Sequence, residues 1–176
     1  MTKPLFLVEY DPAWPARFDA EARRIADILG ERARAIEHVG STAVPGLAGK
    51  PVLDVSVAVE SAAIADACIA PLEALGYEYR GLHGEDPRRR YYTLDGGGER
   101  IAQIHLYILP ARGWHEQLAF RDALRADPEL ARAYAAEKRR VADAVGWDKR
   151  AYSLAKDPFI QDVLARLRAA GRLGES

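Results

Sequence analysis

The chain has 176 residues, a formal net charge of −1 and 49% hydrophobic residues, which suits a single folded domain with a sizeable core. The near-neutral charge excludes a global basic field for nucleic acid, and one cysteine, Cys68, excludes an internal disulfide. No run approaches the ~20 apolar residues of a membrane span, and the N-terminal segment lacks the apolar core of a signal peptide. We therefore expect a cytoplasmic protein that does not enter a membrane.

The first third of the chain predicts a helix and apolar strands. Apolar residues recur at three- and four-residue steps over residues 15–29, which indicates an amphipathic helix that ends at Gly30. Residues 5–10 are expected to form a short strand or an extended segment. Residues 33–39 and 52–59 are predicted strands. The strand at 52–59 is nearly continuous in apolar residues, as expected of a strand that is covered on both faces.

The middle of the chain predicts one more helix and further strands. Ser61 can cap a helix over residues 62–75, which we expect Pro71 to break or kink. The other predictions for this region are a strand at 77–80, a loop at 81–87, and strands at 88–94 and 100–109 joined by a hairpin turn at 95–99.

From residue 113 onward the pattern predicts helices. Residues 114–125 form the first of them, and the pair Asp127-Pro128 begins a second that continues to about residue 145. The pair Asp157-Pro158 has the same cap-and-proline form and predicts the start of a terminal helix.

The order of these elements indicates an α+β fold, in which a small mixed sheet has helices packed on it and three helices follow at the C-terminus. We expect one domain over residues 1–176. Residues 1–110 would form its mixed-sheet core, and residues 111–176 would form a C-terminal helical segment packed on that core.

The stretch between the first two predicted sheet strands carries candidate chemistry. Gly40-Ser41 follows a strand, and a glycine lets backbone N–H groups approach an anion because it has no side chain. Asp54 lies in the next strand, after twelve intervening residues, where a carboxylate has a desolvation cost unless it faces a cleft or a cation. Such a carboxylate can hold a divalent metal that bridges to phosphate oxygens. Together these features predict a site for a nucleoside triphosphate.

Better-known phosphate loops do not fit this stretch. A Walker A loop needs a glycine, four residues and then Gly-Lys-Ser or Gly-Lys-Thr, but Val44 stands at the first glycine position and Pro51 follows Gly49-Lys50. The glycine spacing also differs from that of dinucleotide-binding and kinase loops. The interpretation that remains is a Gly-Ser turn followed by a strand that carries an aspartate.

Several runs of the chain form a recognisable pattern. They are Gly40-Ser41-Thr42-Ala43-Val44-Pro45-Gly46-Leu47, Tyr10-Asp11-Pro12-Ala13-Trp14, Arg89-Arg90-Tyr91-Tyr92 and His105-Leu106-Tyr107. This pattern resembles the signature of GrpB family proteins, also called the UPF0157 family, and the resemblance covers nearly the whole chain. It implies a nucleotidyltransferase-like fold, which is a mixed β-sheet with flanking helices.

The resemblance also implies roles for particular residues. In that superfamily a Gly-Ser turn contacts triphosphate, and carboxylates on adjacent strands hold one or two Mg²⁺ ions for attack on the α-phosphate. Carried over to this chain, Gly40 and Ser41 form the phosphate turn. Asp54 becomes the first carboxylate of the metal site.

The chain departs from that pattern at the other carboxylates. The superfamily usually has a second one two residues after the first, where this chain has Ser56. The later strand offers Gln103, His105 and Tyr107 on one face, whereas GrpB relatives commonly have His-x-His there. One aspartate and one histidine suit a transition metal such as Mn²⁺ or Zn²⁺ better than Mg²⁺. The expected cofactor is a divalent metal, Mg²⁺ or Mn²⁺, with Asp54 and His105 as catalytic residues and metal ligands.

Cationic side chains on other elements predict an anionic ligand. They would converge on phosphates bound at the Gly-Ser turn if the C-terminal helices close over the sheet. Each has an alternative, because long cations commonly coat a solvated face, and His105 also fits a core histidine. The candidate ligand-binding residues besides Gly40 and Ser41 are Lys50, Arg89, Arg90, Arg121, Lys138, Tyr152 and Lys156.

Three functions are open at this point. The first is an enzyme that transfers a nucleotidyl group to a small acceptor, with Asp54 holding the metal and His105 as ligand or general base. The second is a non-catalytic binder of a nucleotide or coenzyme A-like phosphorylated ligand, a class suggested by GrpB-like domains fused to dephospho-coenzyme A kinase. The third is nucleic-acid binding, which the charge of −1 disfavours. A second acid near Asp54, such as Glu37, Asp95 or Glu99, would favour the enzyme.

Overall fold

The computed structural model describes residues 6–82 and 86–173. Its strands are β1 (Ala35–Val39), β2 (Leu53–Val59), β3 (Glu78–Leu82), β4 (Arg89–Gly96) and β5 (Glu99–Ile108). Within the described residues they form one sheet in the order β1-β2-β5-β4-β3. β2 and β5 are parallel neighbours, and the other neighbouring pairs are antiparallel. The predicted mixed sheet is confirmed.

Helices flank this sheet, also as predicted. They are α1 (Trp14–Leu29), α2 (Ala62–Ala67), α3 (Ile69–Ala74), α4 (Arg112–Ala126), α5 (Pro128–Ala144), α6 (Lys149–Ala155) and α7 (Asp157–Ala169). In the part of the chain that the structure covers, no helix is both long and apolar enough to cross a membrane.

One face of the sheet packs against the first three helices. The two-residue period of a strand places Val55 and Val57 of β2 beside Ile104 and Leu106 of β5 on this face, and all four are fully buried. Ile25 of α1 joins the same apolar cluster. This main core holds the parallel pair at the centre of the sheet, because β2 and β5 both have neighbours on each side.

The other face carries the polar residues of β2 and β5 and lies toward the C-terminal helices. At one end of this face, Ala58 and Tyr107 pack with Trp114 of α4. Farther along, Val44 and Leu47 pack with helix residues that include Tyr134 of α5. Both belong to residues 40–49 between β1 and β2, which we call the glycine-rich loop. The C-terminal helices therefore cover this face at one end and enclose the glycine-rich loop.

In the middle of the chain, the helices and strands begin and end close to the predicted positions. The helix expected over 62–75 is divided at Cys68, which separates α2 from α3, and Pro71 lies in the first turn of α3. A proline is tolerated there because the first N–H groups of a helix have no intrahelical partner. The strand expected at 77–80 continues to Leu82. Of the loop predicted at 81–87, residues 83–85 lie outside the described residues.

The hairpin between β4 and β5 is tighter than the predicted five-residue turn. Strand pairing continues to Gly96 opposite Glu99, which leaves Gly97 and Gly98 as the connection. Their φ angles are +63° and +83°, and two-residue turns of this kind need positive φ at both positions.

The C-terminal region contains four helices in its described residues, whereas three were predicted. The Oδ1 of Asp127 accepts from the backbone N–H groups of Glu129 and Leu130 at 3.0 and 3.1 Å, so the predicted cap of α5 is confirmed. The prediction that Asp157 caps the last helix is wrong. Asp157 is the first residue of α7, and the Lys156 that precedes it makes no side-chain capping bond.

At the N-terminus, residues 6–10 form an extended segment, which is one of the two alternatives predicted for residues 5–10. Val8 makes one isolated antiparallel bridge with Gly49 and does not join the sheet, and residue 5 is outside the described residues.

Candidate functional site

Asp54 lies near the start of β2 on the sheet face that is opposite the main core. It stands beside Val39 of β1 and Gln103 of β5 in the strand register. The alternation of side chains places His105 on this same face, and Tyr91 of β4 is paired with His105. The polar positions predicted from the two-residue period thus lie on one face of the sheet, where Tyr91 joins them.

The backbone of Gly40 lies against the Asp54 carboxylate. A Cβ at Gly40 would come within 2.9 Å of the Cβ and Cγ of Asp54, and closer still to Oδ2, and the φ of Gly40 is +73°. Both the contact and the positive φ require glycine. The first residue of the predicted phosphate turn therefore has a structural reason to be glycine, which is to let the turn cross directly over Asp54.

One oxygen of the Asp54 carboxylate, Oδ1, already faces two hydrogen-bond donors. The Nε2 of Gln103 donates to Oδ1 of Asp54, while Oε1 of Gln103 accepts from the hydroxyl of Tyr91 at 2.5 Å. His105 Nε2 is 3.5 Å from the same Oδ1. Burial alone would raise the pKa of Asp54, but the hydrogen bonds from His105 and Gln103 and the charge of Lys156 lower it below its usual range. Asp54 is therefore ionised at neutral pH.

The hydrogen-bond network assigns the tautomer of His105. The Nη2 of Arg89 lies 2.6 Å from Nδ1 of His105, and a guanidinium can only donate, so Nδ1 is the acceptor. Burial lowers the pKa of His105 and the charge of Arg89 lowers it further, which favours the neutral imidazole. In a neutral ring whose Nδ1 accepts, Nε2 carries the proton and points it toward Asp54.

Ser41 is joined to a lysine from a distant helix. Lys138 of α5 is 2% exposed, and its Nζ donates to Ser41 Oγ at 2.9 Å and to the carbonyl oxygen of Ala48. Because Ser41 accepts from Lys138, its hydroxyl hydrogen is left to donate elsewhere. Burial, followed by the charge of Lys156, lowers the pKa of Lys138 to about 7.

Two more predicted lysines flank one tyrosine ring. The Nζ of Lys50 is 4.9 Å from the ring centroid of Tyr152, and the Nζ of Lys156 is 5.4 Å from it. Tyr152 is itself 1% exposed and packs edge-on against Phe6, so the ring that both ammonium groups contact is fixed in place. Burial, then the charges of Lys156 and Lys149, lower the pKa of Lys50 to about 8.

The structure does not bring Arg90 into this group. Arg90 pairs with Leu106 in the register, so it lies on the core face of the sheet, whereas Arg89 lies on the Asp54 face. Its Nη1 donates to the carbonyl oxygen of Pro87 at 2.7 Å, and its Nη2 is 3.5 Å from Asp66. The sequence requires that these neighbouring arginines face opposite ways, and the sheet excludes Arg90 from the Asp54 face.

Arg121 donates hydrogen bonds to other protein groups beside the Gly40-Ser41 turn. Its Nη1 donates to Glu37 at 2.6 Å and to the carbonyl oxygen of His38 at 3.0 Å, and its Nε donates to Asp122 at 2.8 Å. Glu37 and His38 are in β1, which leads directly into Gly40. Arg121 therefore fastens α4 to the strand that positions the turn.

Ser56, where an acid was expected, is directed to a helix. It is fully buried, and its hydroxyl donates to Oε1 of Gln117 in α4. Sequence reasoning missed Gln117, because a single polar residue in an amphipathic helix gives no signal of its partner.

The donor set does not fit a resident divalent metal. Within residues 6–82 and 86–173, no group of three or more His, Cys, Asp or Glu side chains is placed to share an ion. Asp54 Oδ1 accepts from Gln103, and His105 directs a proton, not a lone pair, toward Asp54. The acids considered as partners do not supply the missing ligand, since Glu37 is paired with Arg121 and Asp95 with Arg100, and Glu99 is exposed at the hairpin end of β5, opposite Gly96.

Comparisons with known proteins agree on a family. A family model described as GrpB protein matches residues 4–166. The chain is 35% identical over 163 residues to a UPF0157 protein of Halalkalibacterium halodurans, across 93% of this chain and 82% of that protein. It is also 34% identical over 188 residues to a dephospho-CoA kinase of Mycolicibacterium paratuberculosis, across 93% of this chain but 46% of that protein.

Solved structures resemble the fold. The crystal structure of conserved protein GrpB from Enterococcus faecalis matches with a TM-score of 0.74 and 33% identity, covering 90% of this chain and 99% of that chain. The Cid1 poly(U) polymerase with Mg 3′-dATP bound matches with a TM-score of 0.54 and 16% identity, covering 85% of this chain and 49% of that chain. The second likeness is one of fold alone.

Proposed function

The chain belongs to the GrpB protein family, and from that premise and the charges around Ser41 we propose that it binds a small phosphorylated ligand of nucleotide or coenzyme A type. The proposed binding site lies at the Gly40-Ser41 turn, which Lys138 of α5 contacts through Ser41. The dephospho-CoA kinase relative supports the choice of ligand class, because its name identifies a protein that acts on a coenzyme A precursor.

One observation carries this proposal, which is the convergence of Lys50, Lys138 and Lys156 from separate elements. Lys138 reaches Ser41, and the other two share the ring of Tyr152. The charge of Lys156 lowers the pKa of both Lys50 and Lys138, after burial, which is the larger cause in each case. Neighbouring buried cations repel one another and lose hydration, so an arriving polyanion would relieve a cost already present in the free protein.

The proposal predicts a direct and selective effect of ligand on the melting temperature. ADP, ATP, coenzyme A, dephospho-coenzyme A and inorganic tripolyphosphate would be tested in turn by thermal shift and calorimetry, and a true ligand raises the melting temperature by mass action. Lys50→Gln should weaken binding at least tenfold. Arg150→Gln is the control, because Arg150 is exposed on the adjacent helix α6, and it should change the affinity by less than about twofold. No binding by any compound, or equal binding by Lys50→Gln, would contradict the proposal.

Nucleotidyl transfer to a small acceptor is the second candidate. The observation that favours it is the ionised Asp54 directly under the Gly-Ser turn, the arrangement that the family resemblance implies for a metal carboxylate. Among the residues that the structure describes, no donor set fits the metal, which counts against it. The test is incubation with α-labelled nucleoside triphosphates and Mg²⁺ or Mn²⁺. With candidate acceptors present, movement of the α-label onto an acceptor with release of pyrophosphate, both abolished by Asp54→Asn, would establish transfer as the function.

A further inference from the structure

Two short chains of side-chain contacts end at the same oxygen of Asp54. In the first, the Tyr91 hydroxyl donates to Oε1 of Gln103 at 2.5 Å, which orients the amide so that its Nε2 donates to Oδ1 of Asp54. In the second, Arg89 donates to Nδ1 of His105 at 2.6 Å, and Nε2 of His105 lies 3.5 Å from the same Oδ1. Both chains hold the carboxylate in one orientation through Oδ1 alone.

The second oxygen of this carboxylate, Oδ2, is left for another partner. No hydrogen bond from a described residue reaches Oδ2, it is not among the buried polar atoms, and the Asp54 side chain is 22% exposed. Oδ2 is also the Asp54 atom nearest to the position that a Cβ at Gly40 would take. An ionised carboxylate therefore presents one open oxygen beside the turn that leads directly into Ser41.

The charges around Oδ2 limit the kind of group that it can meet. A phosphate oxygen would be repelled by the carboxylate. An ammonium group would be repelled by the cations already held nearby, since Lys138 donates to Ser41 and Arg89 donates to His105. A hydroxyl carries no charge and can donate to a carboxylate, while a phosphate of the same ligand meets Ser41 and Lys138.

We propose that Oδ2 of Asp54 accepts a hydrogen bond from a ribose hydroxyl of the ligand whose phosphates bind at Gly40-Ser41. This inference rests on the proposed function, and it narrows the ligand class to compounds in which a free ribose hydroxyl accompanies the phosphates. Asp54 contacts the sugar, and Gln103 and His105 are positioning residues that act through Oδ1. A site of this kind rejects an analogue without the hydroxyl, because the carboxylate oxygen then loses water and gains no partner.

The test compares ligands that differ in the sugar. Calorimetry in EDTA would measure the affinities of ATP, 2′,3′-dideoxy-ATP and inorganic tripolyphosphate. The wild type should bind ATP about tenfold or more tightly than dideoxy-ATP. In Asp54→Ala this ratio should fall below about twofold, because the acceptor is gone. The same variant should bind tripolyphosphate at least as tightly as the wild type does, because a negative charge has been removed.

Three further variants complete the design, and circular dichroism checks the fold of each. Asp54→Asn keeps the shape of the side chain if Asp54→Ala does not fold, and it should lower the ratio because a neutral acceptor forms a weaker hydrogen bond. Gln103→Leu frees the carboxylate to rotate and should lower the ratio without changing the affinity for tripolyphosphate. Asp27→Ala is the control, because Asp27 is exposed on α1, which packs on the opposite face of the sheet, and it should keep the wild-type ratio.

The outcomes separate this inference from the proposed function. The inference is overturned, and the proposed function stands, if the wild type binds dideoxy-ATP as tightly as ATP or if Asp54→Ala and Asp54→Asn keep the wild-type ratio. The same holds if the ratio appears only when Mg²⁺ or Mn²⁺ replaces EDTA, since a metal carried with the phosphates would then occupy Oδ2. Binding of tripolyphosphate or coenzyme A without binding of ATP also overturns the inference, because free ribose hydroxyls would then give no affinity. Absence of binding by all of these compounds overturns both proposals together.

Discussion

The ammonium of Lys138 donates a 2.9 Å hydrogen bond to the hydroxyl of Ser41, across 97 positions of sequence. A second hydrogen bond from the same ammonium goes to the carbonyl oxygen of Ala48. One buried lysine of α5 thus contacts the glycine-rich loop at both ends and closes it against the helix. Burial removes water from this ammonium group and so disfavours its charged form, which lowers the pKa of Lys138 to about 7.

We predict that Lys138→Met changes the pH dependence of stability. The pKa of Lys138 is about 7 in the folded protein and 10.5 in its reference state, so between these values the unfolded chain binds more protons. The free energy of unfolding of the wild type should therefore rise with pH in this window, relative to that of Lys138→Met, by up to ~1.4 kcal/mol per pH unit. Urea unfolding at pH 7, 8 and 9 measures this difference, with Lys149→Met as the control. A constant difference across these pH values would contradict the prediction.

A second prediction concerns Gly40 and its contact with Asp54. Gly40→Ala places a methyl group against the carboxylate and also strains a backbone whose φ is +73°. Gly46→Ala is a matched control, because its φ is +78° but nothing lies within 4 Å of the added Cβ. Gly46→Ala should lower the free energy of unfolding by about 1 kcal/mol, and Gly40→Ala by at least ~2 kcal/mol more. Equal losses of the free energy of unfolding in the two variants, measured by thermal unfolding, would show that Asp54 moves away from the added methyl group without destabilising the fold.

His38 should make the protein sensitive to mild acid. Its Nε2 lies 2.8 Å from the Thr42 hydroxyl and its ring stacks on Phe18 at 4.4 Å, and burial is the main cause that lowers its pKa from 6.5 to about 4. The unfolded chain binds the extra proton between these values, so stability present above pH 6.5 is lost progressively as the pH falls toward 4. The loss should amount to ~3 kcal/mol at most, at 1.36 kcal/mol per unit.

The check is urea unfolding at pH 7 and pH 5. The loss between them should be smaller in His38→Gln than in the wild type. His115→Gln changes an exposed histidine and should behave like the wild type. If His38→Gln and the wild type lose the same free energy of unfolding, then His38 does not cause the acid sensitivity.

The Arg121–Glu37 pair should couple α4 to β1. The two side chains are 2.6 Å apart, and Arg121 is 10% exposed whereas Glu37 is 39% exposed, so solvent screens part of the attraction. Arg121→Met, Glu37→Gln and the double variant form a cycle, for which we expect a coupling energy of about 1–2 kcal/mol. The pair Arg132–Glu129, whose side chains are 66% and 82% exposed, should give a smaller coupling energy in the same urea-unfolding cycle. A coupling no larger than that of this control would show that the pair does not hold the helix.

Local patterns were sufficient to predict much of the fold. The apolar periods over α1 and β2, and the cap of α5 at Asp127, depend on neighbours within a few residues, and each was confirmed. The cap predicted at Asp157 failed although its local pattern was the same. The helix there begins directly after α6, so Asp157 already has helical backbone and cannot act as a cap.

The sequence by itself determined the Gly-Ser turn, the aspartate in the next strand, and the face that Asp54 shares with His105, because a two-residue period needs no knowledge of distant elements. Only the tertiary structure decided that Arg89, and not Arg90, lies on that face, since the register with β5 sets it. It also decided that Lys138 reaches the turn and that Lys156 lies over the Tyr152 ring, while Arg121 is occupied by Glu37. These contacts join residues far apart in sequence, and they depend on how apolar helix faces pack, which no local pattern records.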